Sequence, residues 1–162
     1  MAQARKKATK DAVNPVDMLL MDHRAVDKLF REFEKLHEAE EDTNKVIDAV
    51  RIALTIHDAL EMEIFYPAIR ERASEEAEEV LDEAEVEHTS VQQLLAQLRP
   101  GKLADKKREA HFTVLMEYVR HHVKEEENEL FPKLKKLKGL NTAKLGERMM
   151  TRRIALEKKL IK

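Results

Sequence analysis

Two stretches of the chain follow one plan. HDALEMEIFYP (residues 57–67) and HVKEEENELFP (residues 122–132) each set a glutamate four residues after a histidine and a proline ten residues after it. A shift of 65 residues lays His57 on His122, Glu61 on Glu126 and Pro67 on Pro132, and also brings His23 onto His88. The spacing His-x-x-x-Glu puts both side chains on one helix face, one turn apart. Four of the seven histidines are used in this pattern. It predicts two similar helical hairpins, each offering a histidine and then a His-x-x-x-Glu pair.

The rest of the chain is written for helix. Charged residues make up 38% and aromatics 4%, with only three Gly and four Pro, a composition that favours helices and has few breakers. Asn14-Pro15 is a cap followed by a first-turn proline, and Val16, Leu19, Leu20, Val26, Phe30 and Phe33 continue at helical spacing with His23 among them. A second helix is expected from about Thr43 to Arg72. Ser74 caps a third, whose stripe of Val80, Leu81, Ala84, Val91, Leu95 and Leu98 encloses His88, and Pro100-Gly101 ends it. The fourth begins near Asp105. The expected fold is all-α, an antiparallel up-down-up-down four-helix bundle over residues 14–138. A disordered basic tail (1–13) precedes it and a short amphipathic helix (139–162, roughly Thr142 to Leu160) follows.

Helical rise, about 1.5 Å per residue, tests whether the histidines meet. His23 lies fourteen residues before His37, His57 fourteen after Thr43, and His88 fourteen after Ser74, so three are level. The last hairpin is out of step: ten residues separate His88 from Leu98, but seventeen separate Asp105 from His122. Either the fourth helix starts later or its loop climbs. That helix also offers His121/Glu125, but the proline offset and the 65-residue match both select His122/Glu126, which leaves His121 exposed. The prolines predict a kink or loosening near the ends of the second and fourth helices.

Four imidazoles and two carboxylates on buried stripes, with nothing to pair them, would be costly. A metal cluster supplies the partner. Six ligands exceed one tetrahedral zinc. They suit two metals with two histidines each and Glu61 and Glu126 bridging, and carboxylate plus imidazole suits iron or manganese. Such a centre keeps open positions for O2, peroxide or NO.

Other classes are set aside by composition. There is no cysteine, so disulfides, thiolate catalysis and Fe–S clusters are excluded. No apolar run is long enough for a membrane span and no secretory signal is evident, so a cytoplasmic protein is expected. Residues 75–87 carry eight acids and no base, and residues 133–162 carry eleven bases and two acids. No readout motif accompanies the basic tail, so nucleic acid is not the expected partner.

The stretches LLMDHRAVDKLFREFEK, HDALEMEIFYPAI, VEHTSVQQLLAQL and HHVKEEENELFPKL resemble the hemerythrin-like, HHE cation-binding family over about residues 14–137, and the tail LGERMMTRR is similar to that of bacterial members. The resemblance implies a four-helix bundle with an oxo- or hydroxo-bridged di-iron centre on His23, His57, Glu61, His88, His122 and Glu126. Oxygen-carrying hemerythrins have two histidines one turn apart on the third helix. Here Ala84 and Gln92 stand four residues either side of His88, which points away from simple oxygen carriage. Asp58, Glu85, Tyr66 and Tyr118 are the candidates for an extra ligand or a supporting role. Met18, Met21, Met62 and Met116 are expected to pack. No catalytic residue is assigned. The implied function is binding of O2, peroxide or NO in sensing, storage or stress response, with a peroxide- or NO-consuming enzyme or an iron-homeostasis protein as alternatives.

Overall fold

A hairpin of helices needs a defined start, and the first helix has one. Asn14 accepts from the Val16 and Asp17 backbone N–H groups at 2.9 and 3.3 Å, and Pro15 occupies the first turn, where its missing N–H costs nothing. The computed structural model describes residues 13–161, so the disorder expected of residues 1–13 falls, Val13 apart, outside the described residues. Helix α1 is Pro15–Glu38. Helix α2 runs Asn44–Leu60, passes through a π-helical turn at Glu61–Phe65 and resumes at Tyr66–Arg70. Helix α3 is Glu75–Gln97, capped by the Ser74 hydroxyl on the Ala77 N–H. Helix α4 runs Asp105–Glu125, passes through a second π-turn at Glu126–Leu130 and ends with Phe131–Leu134, and α5 is Thr142–Leu160.

α1 pairs with α2 and α3 with α4, giving the four-helix bundle. α5 lies across α1 and α2, burying Leu145, Met149 and Leu156. No helix among the described residues is long and apolar enough to cross a membrane. The apolar interior forms two clusters. One, around Leu60, Phe65, Ile69 and Phe131, includes the buried face of α5; the other holds Phe30, Phe33, Ile47 and Phe112. Of the methionines expected to pack, Met18 and Met116 do, whereas Met21 is 68% exposed.

The out-of-step hairpin is resolved by the loop. α4 does begin at Asp105, and its first turns stand beside the α1–α2 connection: Asn44 donates to Asp105 at 3.4 Å and the Thr43 hydroxyl to Glu109 at 2.7 Å. The loop after Leu98 therefore climbs past the short end of α3. Arg108 fills the space. It is 3% exposed, donates to the Leu98 carbonyl from Nε (3.1 Å) and Nη2 (2.6 Å), and pairs with Asp48 at 2.7 Å, so it caps a carbonyl that the end of α3 leaves without a helical partner.

The prolines act through the π-turns. Pro67 has no N–H, and its ring crowds the carbonyl four residues back. The preceding residue, Tyr66, instead donates to the carbonyl of Glu61, five residues back. Phe131 does the same to Glu126, before Pro132. Residues five apart on an α-helix diverge by about 140°, whereas i→i+5 bonding brings the fifth residue nearly under the first. The expected loosening is thus a defined turn that begins at each glutamate of the repeat.

Candidate metal centre

One histidine from each helix of the bundle reaches a common level. His23, His57, His88 and His122 are all under 10% exposed, with Glu61 at 0% and Glu126 at 2%. The His23 and His57 ring centroids are 5.0 Å apart, and those of His88 and His122 are 4.6 Å apart. Donor atoms form two sets, each lying within 4.8 Å: His23, His57, Glu61 and Glu126 in one, and Glu61, His88 and His122 in the other. Glu61 belongs to both. Its Oε1 lies 3.2 Å from His57 Nε2, and its Oε2 lies 2.9 Å from His88 Nε2 and 3.8 Å from His122 Nε2. Glu126 Oε2 lies 3.2 Å from His23 Nε2 and 3.7 Å from His122 Nε2.

Each imidazole is held from behind by a carboxylate. His23 Nδ1 donates to Glu127 (2.9 Å), His57 Nδ1 to Asp22 (3.1 Å), His88 Nδ1 to Asp58 (2.7 Å) and His122 Nδ1 to Glu87 (2.6 Å). An ionised carboxylate only accepts, so Nδ1 carries the proton and Nε2 is turned inward, the arrangement that orients metal-binding histidines. Two of these pairs, Asp22–His57 and Glu87–His122, are each 35 residues apart in sequence. Each acid immediately precedes a histidine of the repeat, so this pair of supports could have been found from the sequence. Glu127 and the pairing of Asp58 with His88 have no counterpart at the 65-residue offset.

The candidates for an extra ligand separate clearly. Asp58 holds His88 and is itself fixed by Gln92 at 2.9 and 3.0 Å. Glu85 pairs with Arg70 at 2.7 Å, and Tyr118 is 47% exposed. Tyr66 is fully buried, and its hydroxyl lies 3.0 Å from His88 Nε2, 3.5 Å from His122 Nε2, 3.3 Å from Glu61 Oε2 and 3.2 Å from Glu126 Oε1. Its hydroxyl stands within reach of both imidazoles of the second donor set. His121 is on the surface with Glu125, 3.0 Å away. His37 closes the last turn of α1 beside Glu109, and His111 bonds the Lys107 carbonyl.

The electrostatics describe a place prepared for positive charge. Burial lowers the pKa of His57, but Glu61, Asp22 and Glu126 outweigh it and hold the imidazole well above its usual range. His88 is raised in the same way by Asp58 and Glu61, and His122 to about 10 by Glu61, Glu87 and Glu126. Burial opposes ionisation of Glu61 too, yet its three histidines hold it well below the carboxylate range. Burial and the neighbouring Glu61 charge push Glu126 up, and burial with both glutamates keeps the Tyr66 hydroxyl protonated.

Three side-chain atoms are fully buried without a hydrogen-bond partner among the described residues: His23 Nε2, Glu61 Oε1 and Glu126 Oε2. All three belong to the first donor set. His23 Nε2 and Glu126 Oε2 are near in distance but not aligned to bond. Orphaned buried acceptors at one point are the signature of a cation site, so the residues present fit a metal. Above the imidazoles lies a cavity of ≈ 30 Å³, closed by Val26, Leu54, Val91 and Val119, one from each helix.

Fold and site together define a four-helix-bundle protein with a buried histidine–carboxylate centre suited to cations. The family model of the hemerythrin HHE cation binding domain matches residues 14–134, and the chain belongs to that family. Comparison with curated proteins and with solved structures gives no match.

Proposed function

We propose that the chain is a non-haem di-iron protein that binds O2 or a related small ligand, peroxide or NO, in sensing, storage or stress response. The observation that carries this reading is Glu61: one fully buried carboxylate offers an oxygen to each of two donor sets. In it, His23 and His57 would hold one metal and His88 and His122 the other, with Glu61 and Glu126 as the carboxylates shared between them. Imidazole and carboxylate donors suit iron, and also manganese. Iron bound there supplies open coordination positions and one-electron chemistry. The protein's part is to orient the imidazoles through Asp22, Asp58, Glu87 and Glu127, and to keep the ligand side dry. The ≈ 30 Å³ aliphatic cavity is sized for a molecule of two or three heavy atoms.

Anaerobic loading with ferrous iron, followed by metal analysis and absorption spectra before and after O2, tests this reading. Two irons per chain and an O2-dependent spectral change are expected. Fewer than two irons would count against it.

A second reading, turnover of peroxide or NO, is favoured by the Tyr66 hydroxyl. It is a hydrogen-bond donor within 3.5 Å of both glutamates and two imidazoles, placed to hydrogen-bond a reacting oxygen. Peroxide and NO consumption by the loaded protein separates the two readings, since a binding protein shows none.

A further inference from the structure

The two hairpins meet along two seams. The α2 and α3 backbones approach closely, whereas α1 and α4 stand further apart. A groove of ≈ 570 Å³ runs along the wider seam, between Lys28 and Arg31 on α1 and Arg120 and Asn128 on α4. Its floor includes His23, Val26, Val119 and Val123, and the same four side chains also line the small cavity over the imidazoles. The partition between solvent and the cavity is therefore one side chain thick at this place. Val26 and Val119 are 4% and 5% exposed, and Val123 beside them is half-buried. A valine in a helix has one strongly preferred rotamer, so a passage here would need a small relative movement of α1 and α4 rather than a rotamer flip. These helices are held together across the seam by polar contacts: Arg120 to Glu34 at 2.7 Å and His23 to Glu127 at 2.9 Å.

We propose that the α1–α4 groove is the route by which a molecule of two or three heavy atoms reaches the centre, with Val26, Val119 and Val123 as its gate. This rests on the small-ligand reading above, and it adds where the ligand crosses and which residues set the rate. A gate changes arrival and escape alike and leaves the end state unchanged.

The test is stopped-flow binding of NO to the ferrous, iron-loaded chain. Val123→Ala is expected to raise the association rate by about tenfold and the dissociation rate along with it, as a gating step requires. Lys28→Trp, which fills the groove without touching the cavity, lowers both. Thr89→Trp, on the outer face of α3, changes neither. Wild-type rates in both Val123→Ala and Lys28→Trp would overturn the proposal, as would a changed Kd with an unchanged association rate. Metal analysis before the kinetics separates the two readings. If the chain takes up no iron, the di-iron reading fails and the gate fails with it, whereas iron uptake with wild-type NO rates in both groove variants overturns the gate alone.

Discussion

Tyr66 and Phe131 occupy equivalent places in the two hairpins, each at the residue just beyond a π-turn and just before a proline. They do different things there. The Tyr66 hydroxyl enters the donor set of His88 and His122, whereas the Phe131 ring stacks on His23 at 6.0 Å and 7°. The sequence repeat is nearly symmetric, and the centre it builds is not.

Tyr66→Phe should therefore act on one metal position more than the other. Removing the hydroxyl leaves only carboxylate oxygens beside the Nε2 atoms of His88 and His122. On the proposed two-metal reading, the affinity for one metal is expected to fall by about 10–100-fold, the usual size for such supporting groups, with the other little changed. Stepwise metal titration by calorimetry reads this. Equal weakening of both steps, or of neither, would remove the asymmetry.

Asp22→Asn and Glu87→Gln should behave as a matched pair. Each removes the anion that fixes an imidazole, His57 in one case and His122 in the other. A loss of about 10–100-fold in metal affinity is expected for each, with folding retained. Competition against a chelator of known affinity measures it. Wild-type affinity in both variants would mean that these carboxylates do not tune the centre.

Protons and metal should compete for the same atoms. In the metal-free chain His57, His88 and His122 have folded pKa values above 6.5, His122 near 10. A raised folded value stabilises the fold fully below the unfolded pKa, and this contribution is lost as pH climbs through the folded one. The metal-free chain should thus lose stability between about pH 6.5 and 10. Metal displaces those protons, so loading releases protons and apparent affinity rises with pH. Urea midpoints of the two forms across this range, with proton release in weak buffer, provide the check. Parallel pH profiles and no released protons would contradict it.

Arg108 is expected to matter for the fold and not for the metal. Arg108→Ala strips the Leu98 carbonyl and Asp48 of their donor in a buried place, at a cost of about 2–4 kcal/mol. Thermal and urea denaturation should show the loss, while the number of metal ions taken up per chain stays at the wild-type value. A Tm within a degree or two of wild type would show that water serves the carbonyl equally well.

What was legible in the sequence was what short-range rules decide. Asn14 and Ser74 cap helices because their side chains reach their own backbone. The convergence of the six histidine and glutamate side chains could be read because they recur at one offset on apolar stripes. Tyr66 could not be placed at the centre by α-helical counting, since that puts it well round from Glu61; only the π-turn brings it back. Glu127 and Asp58 meet their histidines across helices, 104 and 30 residues away, at distances that no local pattern encodes. Arg108 reads as a surface charge until the early end of α3 is known.

One contact links the periphery to the interior. Arg153, on α5, lies 2.6 Å from Asp22, the carboxylate that also receives the His57 Nδ1 proton. Asp22 has a single charge to divide between a guanidinium and an imidazole. Whatever withdraws positive charge from that imidazole strengthens the hold on the guanidinium, and by reciprocity peeling the last helix away tightens the grip on the ring. The outermost helix thus carries on its inner edge a gauge of what happens in the middle of the molecule.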